Sequence, residues 1–470
     1  MAVVLLVVLL VLLPASSPVI HAASDEGREY TLVATSSLNP KAACLGHMVT
    51  PPQNGSWVPL SLSHGSCSPW TGGPRPSLAE LLRQDQLRVD DIQMRLSDDA
   101  EEKKKKSMAP CEVTVLNHGP VSDFKLGTPR RASSEGSELS IDPAAGGSSS
   151  SQGGVTQTVL LDTASDVPWV QCHPQQSSYD PTMSATYAAF SCSSPACRGL
   201  GPHAAGCINN QCQYNVTYAD GSSTSGTYSS DLLTVNDASG GVSSFQFGCS
   251  RAELGSFDSR SSGIMGLGGG AQSLVSQTAA THGNAFSYCI PTPSSLGFFA
   301  LGVPRRAASR YTATPMLRDP RAPTFHRVLL RAITVAGQRL NVPAAVFAAG
   351  TVMDSRTFVT RLPPTAYRAL RAAFRSSMRM YRAAPPNGAL DTCYDFTGVA
   401  AIRLPRIALV FDRNAVVELD TSGILLNSCL AFAANGNDAM AGVLGNVQQQ
   451  RIEVLYDVGG GAVAFRRGAC

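Results

Sequence analysis

The sequence has 470 residues and little charge, since Asp, Glu, Lys and Arg make up 15% of it, against about 25% in an average soluble protein. The formal net charge is only +3, while 43% of the residues are hydrophobic. Disorder throughout the chain is therefore excluded, and strong nucleic-acid binding is disfavoured. The length suits two or three domains, or one large two-lobed domain.

Long apolar runs are also missing. The longest, from Val3 to Leu13, is too short to span a membrane, which excludes a multi-span membrane protein. Small residues follow it, up to Ala22 and Ala23. We therefore predict a signal peptide over residues 1–23 rather than a buried strand, and a secreted, extracellular protein with no membrane anchor after cleavage.

Lysine is scarce and confined to one part of the chain. None follows Lys125, and four form a block from Lys103 to Lys106. Before this block, Ser77 to Leu96 has apolar residues at helical spacing, with Ser77 and Glu80 as a capping box. After it, residues 126–154 are rich in Ser, Gly and Ala, which is typical of a flexible linker.

From Val155 onward, short apolar runs alternate with Gly, Ser, Pro and Asp clusters. This pattern predicts a mainly β structure with many short strands. The clearest helix is expected over Thr365 to Tyr381, after two prolines.

Several catalytic motifs are missing. There is no Gly-x-Ser-x-Gly element for a serine nucleophile, and no His-x-x-x-His pair for a metal. No lysine follows the glycine-rich run Gly266–Gly270, so phosphate binding is not expected there. We predict neither a cofactor nor a metal.

Two carboxylates are present in matched contexts. Asp162 follows Val159-Leu160-Leu161, and Asp354 follows Thr351-Val352-Met353. A hydroxyl residue comes directly after each one. One such Asp alone is usually a turn or cap residue. The duplicated strand–Asp–hydroxyl element instead indicates two similar lobes, each contributing one carboxylate to a shared cleft.

With these loops the chain resembles the pepsin-type aspartic proteases, and among them the plant nepenthesin-like group, from Val155 to Cys470. The resemblance implies a bilobal fold with a cleft between two β-rich lobes, residues 155–310 and 311–470. The other matching motifs are Trp169, Tyr218-Ala219-Asp220-Gly221-Ser222, Ile264-Met265-Gly266, Arg361-Leu362-Pro363-Pro364, Val443-Leu444-Gly445 and Gly445-Asn446-Val447-Gln448-Gln449.

The resemblance also implies a mechanism and a substrate. Two neighbouring carboxylates share one proton at acidic pH and activate a water molecule, which attacks a peptide bond. The substrate is a protein or peptide, and the enzyme is expected to be a monomer. The implied supporting residues are Thr163 and Ser355 between the two loops, Ser165 and Thr357 on the outer carboxylate oxygens, and the flap residue Tyr218 with Trp169 beneath it.

Residues 24–125 resemble a propeptide, most clearly from Val58-Pro59-Leu60 to Leu96. The implied order is signal peptide, propeptide and bilobal enzyme. The lysine block either pairs with the cleft carboxylates in a zymogen or is a solvated processing-site linker. Two glycosylation sequons begin at Asn54 and Asn215.

Thirteen cysteines in a secreted chain predict disulfides, and the odd number leaves at least one cysteine unpaired. The resemblance implies the pairs Cys393–Cys429 and Cys289–Cys470. Local pairs are expected among Cys192, Cys197, Cys207 and Cys212. Cys172 and Cys249 are then left, and they could pair with each other.

The chain departs from the family in three places. Ala164 and Arg356 each replace a glycine of a catalytic loop, and Arg356 is the larger change. If its side chain points into the cleft it lowers the pKa of Asp354, and if it points outward it is harmless. A long Ser/Gly segment separates Gly127-Thr128-Pro129 from Val155. Either the first lobe lacks a strand or this segment is looped out.

Two functions from different classes fit these features. The favoured one is a secreted aspartic endopeptidase active at acidic pH. The alternative is a catalytically weak or silent binding protein on the same fold, as in plant xylanase inhibitors, since Arg356 damages one catalytic loop. A third function is nucleic-acid binding, as in another relative of the family, but it is disfavoured because the arginines form no basic stripe in the sequence.

Overall fold

A computed structural model describes residues 29–38, 43–49, 56–70, 76–97, 118–129, 154–172, 179–218, 220–236, 241–255, 257–258, 260–303 and 310–470. Four features of the sequence analysis lie outside the described residues: the predicted signal peptide, the lysine block, Asn54 and most of the predicted linker. In the described part, no helix has the length and apolar character needed to cross a bilayer.

Short strands dominate the structure. Two precede the lysine block: β1 (Tyr30–Ala34) and β2 (Trp57–Leu62). The next strands are β3 (Pro120–Leu126), β4 (Val155–Asp162), β5 (Trp169–Gln171), β6 (Ala188–Ala189), β7 (Ala204–Ile208), β8 (Gln211–Thr217), β9 (Ser223–Thr234), β10 (Gly241–Leu254), β11 (Gly263–Gly266), β12 (Ala285–Cys289) and β13 (Gly297–Leu301).

The second half also consists mainly of short strands. Its strands are β14 (Thr312–Leu317), β15 (Arg327–Val328), β16 (Leu330–Val335), β17 (Gln338–Arg339), β18 (Thr351–Met353), β19 (Thr360–Leu362), β20 (Arg382–Ala384), β21 (Cys393–Asp395), β22 (Ala401–Pro405), β23 (Ile407–Phe411), β24 (Ala415–Glu418), β25 (Leu425–Leu426), β26 (Cys429–Leu430), β27 (Phe432–Ala434), β28 (Gly442–Leu444), β29 (Ile452–Asp457) and β30 (Ala462–Arg467).

Helices are few and mostly short. They are α1 (Leu78–Leu96), α2 (Pro195–Gly199), α3 (Leu274–Gln277), α4 (Ala279–His282), α5 (Pro364–Ser377) and α6 (Asn446–Gln449). The two long ones, α1 and α5, match the helices expected from apolar spacing. In α1, Ser77 Oγ accepts a hydrogen bond from the Glu80 amide at 3.2 Å. The Glu80 carboxylate pairs with Arg83 rather than completing the capping box.

One antiparallel sheet joins the two halves. Its strand order is β4-β3-β2-β13-β12-β29-β30-β14. The halves meet where β12 pairs with β29. The fold is thus mainly β and bilobal, as the sequence predicted. The sheet that joins the lobes combines strands from early in the chain, such as β2, with strands from late in the chain, such as β29 and β30.

The structure answers the question of the missing strand. β3 pairs with β4 along its whole length, from Val121 opposite Leu160 to Leu126 opposite Val155. The first lobe therefore has its strand before the catalytic loop, and the Ser/Gly-rich segment connects two paired neighbours. The expected boundary between residues 125 and 126 falls inside β3.

β2 lies between β3 and β13, in the middle of this sheet. The region resembling a propeptide is thus part of the fold. β1 attaches the same region to the second half of the chain, because it pairs with β22.

Six disulfides cross-link the described residues. Cys393 pairs with Cys429 and Cys289 with Cys470, as the resemblance implies. The remaining pairs are Cys44–Cys67, Cys172–Cys249, Cys192–Cys207 and Cys197–Cys212. Cys111, the thirteenth cysteine, lies outside the described residues.

Candidate active site

The two loops that carry Asp162 and Asp354 have the same architecture. Asp162 ends β4, which runs parallel to β11 and places Asp162 opposite Gly266. Asp354 directly follows β18, which runs parallel to β28 and places Met353 opposite Leu444. Each carboxylate thus leaves a buried parallel strand pair at its carboxyl end. The apolar-apolar-Gly motifs supply the partner strands.

Thr163 and Ser355 join the loops across the two lobes. The Ser355 amide donates to Thr163 Oγ1 at 3.0 Å, and the Thr163 amide donates to Ser355 Oγ at 3.2 Å. Each hydroxyl also donates to a carbonyl of the opposite lobe, those of Met353 and Leu161. This reciprocal pattern fixes the separation of the two loops.

The two carboxylates differ in their own hydrogen bonds. Asp354 Oδ2 accepts from the Thr357 hydroxyl at 2.5 Å, as expected. Ser165 was expected to serve Asp162 in the same way, but its Oγ has no hydrogen-bond partner among the described residues. Arg356 Nη1 instead reaches Asp162 Oδ2 at 3.2 Å. The expectation for Ser165 is therefore wrong in this structure, because the arginine serves that oxygen.

Arg356 thus points inward. Its side chain is fully buried and extends across the lobe boundary to Asp162. Asp162 and Asp354 favour its charge, but burial is the larger effect and lowers the pKa of Arg356. The outward orientation considered from the sequence does not occur here.

Arg88 of α1 binds both carboxylates at once. Its Nη2 lies 2.7 Å from Asp162 Oδ1 and 2.8 Å from Asp354 Oδ1, and its Nε lies 2.7 Å from Asp354 Oδ2. All three side chains are at most 1% exposed. One guanidinium therefore occupies the space between the two carboxylates.

Charge sets the ionisation of this cluster. Burial opposes ionisation of Asp354, but Arg88 and the hydrogen bonds from Thr357 and the Arg356 amide together lower its pKa. Burial likewise opposes the charge on Arg88, and Asp162 and Asp354 outweigh it, so that its pKa is raised. Asp354 is therefore held ionised while α1 is in place.

Other side chains hold α1 in the cleft. Asp85 accepts hydrogen bonds from the Phe358 amide at 2.5 Å and from Arg361 Nη2 at 3.0 Å. Near the other end of the helix, Gln93 donates to the Ala441 carbonyl at 2.7 Å. The lysine block was one candidate for pairing with the cleft carboxylates, but the described structure places Arg88 there.

The sequence analysis missed Arg88 and Asp85, although a signal for them exists. Both lie on the helix face that carries Leu82, Val89 and Ile92, and all five side chains are buried. Charged residues within an apolar stripe are unusual unless they are paired. The positions of Asp85 and Arg88 therefore indicate that both form buried ion pairs, but they do not indicate which residues are the partners.

Tyr218 and Trp169 are in contact, as the resemblance implies. Trp169 Nε1 donates to the Tyr218 hydroxyl at 2.8 Å, and both side chains are buried. Phe257 packs edge-on against the two rings. Trp169 and Phe257 thus support Tyr218, which lies near enough to Arg356 to interact with its charge.

Comparisons with known proteins identify the fold and the family of the chain. The family models described as xylanase inhibitor N-terminal and C-terminal match residues 148–303 and 326–467. The crystal structure of basic 7S globulin from soybean has a TM-score of 0.58 over 74% of this chain and 91% of its own, with 19% identity, and so supports the fold.

Similar sequences are plant aspartic proteases. An aspartyl protease family protein of Arabidopsis thaliana is 34% identical over 438 residues, which cover 87% of this chain and 86% of that protein. Aspartic proteinase nepenthesin-2 of Nepenthes gracilis is 30% identical, over 67% of this chain and 74% of its own. The chain therefore belongs to the pepsin-type aspartic proteases, in the plant nepenthesin-like group.

Proposed function

We propose that the protein is the zymogen of a secreted aspartic endopeptidase, with Asp162 and Asp354 as its catalytic dyad. The observation that carries this proposal is the position of Arg88, which bonds to both carboxylates. One guanidinium can do so only if the two carboxylates converge on the same point. This convergence on one point is the arrangement that a catalytic dyad requires.

In the active form, one carboxylate is ionised and takes a proton from the attacking water. The other is protonated and donates to the oxygen of the scissile carbonyl, so no covalent intermediate forms. The hydrogen bonds between Thr163 and Ser355 hold the two carboxylates at a fixed separation. Tyr218, supported by Trp169, closes over the substrate. The pair shares its proton, and its two apparent pKa values belong to both residues together.

Helix α1 prevents this chemistry while it is docked. Arg88 takes the place between the carboxylates that water and the scissile bond need, and it favours the ionised form of Asp354. Activation therefore requires α1 to leave. We place the processing site between residues 97 and 118, because α1 belongs to the inhibitory segment and β3 to the enzyme.

Acid favours this release. Because the pKa of Asp354 is lowered in the docked state, its ionisation stabilises docking above the ordinary carboxyl pKa of about 3.9. This stabilisation is lost as the pH falls through the lowered value. Protonation also supplies the proton that the dyad needs, so release and catalysis are favoured by the same change in pH.

Proteolysis by the purified full-length chain tests the proposal. Incubated at decreasing pH with a denatured protein, the chain should shorten and cleave the substrate, and pepstatin should block cleavage. Asp162→Ala and Asp354→Ala should each reduce kcat/KM by several orders of magnitude. Asp438→Ala is the matched control, since Asp438 bonds to Thr365 at the start of α5. Full activity in either dyad variant contradicts the assignment.

The alternative, a weak or silent binding protein, is favoured by one observation. Arg356 lies beside Asp162 and belongs to the same loop as Asp354, so the departure of α1 does not remove it from the site. A processed and folded chain that cleaves nothing at any pH, while Arg356→Gly does cleave, would support this second function.

A further inference from the structure

Arg356 has more hydrogen-bond donors than its surroundings use. Nη1 donates to Asp162, but Nε and Nη2 have no hydrogen-bond partner among the described residues. The side chain is fully buried, so these two donors are also hidden from solvent. Leaving a buried charged donor unpaired is costly. The cleft therefore lacks an acceptor at this position.

The neighbours of Arg356 do not provide that acceptor. Gly119 lies against the side-chain stem, where an added Cβ would be 3.2 Å from Arg356 Cγ. His118 comes next to it and is fully buried, and both of its ring nitrogens are unpartnered among the described residues. Burial, His64 and Arg356 together lower the pKa of His118 to about 3. None of these neighbours accepts a hydrogen bond from Nε or Nη2 of Arg356.

Departure of α1 adds no protein acceptor for these two donors. In the docked state, Arg88 and Arg356 face Asp162 and Asp354, so two positive charges meet two negative ones. Once Arg88 has left, a working dyad keeps one proton and one negative charge. Arg356 balances that charge through Nη1, and its other two donors are still unused. A further carboxylate would meet this demand, because a guanidinium fork binds a carboxylate at two points.

We propose that Arg356, with His118 beside it, forms a substrate subsite next to the dyad that selects an acidic side chain, Asp or Glu, near the scissile bond. Nε and Nη2 bind the carboxylate while Nη1 stays on Asp162. This inference rests on the proposed endopeptidase activity, whose failure gives a different result in the experiment below.

The experiment compares matched peptides and the processed protein. Each peptide carries Glu, Gln or cysteic acid at one position flanking the scissile bond. At one of these positions, wild type should cleave the Glu and cysteic acid peptides with a kcat/KM about 10- to 100-fold above that of the Gln peptide. The preference for Glu should vanish below its pKa of about 4.3, while that for cysteic acid persists.

Variants of Arg356 then test whether this side chain causes the preference for an acidic residue. Arg356→Gly should remove it, Arg356→Lys should keep part of it, and Arg356→Glu should favour a Lys-containing peptide. Equal cleavage of the Glu, Gln and cysteic acid peptides by wild type at every position overturns the subsite.

If wild type cleaves no peptide at any pH, the proposed endopeptidase activity fails, and equilibrium binding to the processed chain decides the subsite. Tighter binding of the cysteic acid peptide that is lost in Arg356→Gly supports it. Equal binding of all three peptides refutes it.

Discussion

Arg356 and Asp162, in loops of different lobes, share a hydrogen bond of 3.2 Å from Nη1 to Oδ2. In the other loop the equivalent carboxylate oxygen, Asp354 Oδ2, accepts a hydrogen bond from the hydroxyl of Thr357. Apart from the bonds that Arg88 makes to both carboxylates, a charged side chain of the loops thus serves Asp162 and a neutral hydroxyl serves Asp354. This asymmetry and the inhibitory contact of Arg88 have consequences that can be measured.

Replacing Arg356 by glycine should shift the pH dependence of catalysis. The guanidinium favours the ionised dyad, so its removal should move the alkaline limb of the pH–rate profile upward, by at most about one to three pH units. Activity should also rise, because glycine leaves room where the loops meet. Arg356→Lys is the control that keeps the charge. An unchanged profile in Arg356→Gly would show that the arginine does not act on the dyad.

Replacing Arg88 by methionine should weaken inhibition. Removal of one partner from a buried ion pair costs about 3–5 kcal/mol, and here both carboxylates lose a donor. The zymogen should therefore convert to the processed form at near-neutral pH, where wild type stays intact. Gel analysis of the purified chain over time measures this conversion. Arg83→Met is the matched control, because Arg83 lies on the same helix but its side chain is 63% exposed. Equal conversion rates in the two variants would contradict the role of Arg88.

Asp85 should stabilise the docked helix without touching the dyad. Asp85→Ala leaves the buried Arg361 without its carboxylate and the Phe358 amide without its acceptor. We expect the free energy of docking to fall by about 3–5 kcal/mol. Hydrogen exchange of the α1 amides at neutral pH should speed up accordingly. Asp90→Ala, at an exposed position of the same helix, should have little effect. Unchanged protection in Asp85→Ala would rule out this anchor.

The two glycosylation sequons lie on opposite sides of the proposed processing site. Asn215 is exposed on β8 and lies in the enzyme, whereas Asn54 precedes the proposed processing site. The polypeptide that begins after the processing site should therefore carry at most one N-glycan. Mass spectrometry before and after enzymatic deglycosylation measures this. Thr217→Ala should abolish the mass change and Thr217→Ser should retain it. A loss of two glycans from the processed chain would contradict the expected layout.

Local sequence determined much of the fold and both candidate catalytic carboxylates. Helix α1 follows from its apolar spacing and the Ser77 cap, and its described bounds of Leu78–Leu96 are close to those predicted. Asp162 and Asp354 could be chosen because each follows a short apolar strand and precedes a hydroxyl residue. Such features are readable because strand and helix patterns depend on neighbouring residues along the chain.

Only the tertiary structure decided which groups meet in the cleft. Arg88 reaches Asp162 over 74 residues and Asp354 over 266 residues. β2 occupies the middle of the central sheet, between strands that lie far from it in the sequence. The inward direction of Arg356 likewise depends on the space beside Gly119 and on an oxygen of the opposite lobe. Contacts of this kind arise from the packing of distant segments, and no periodicity within one segment encodes its partner in another.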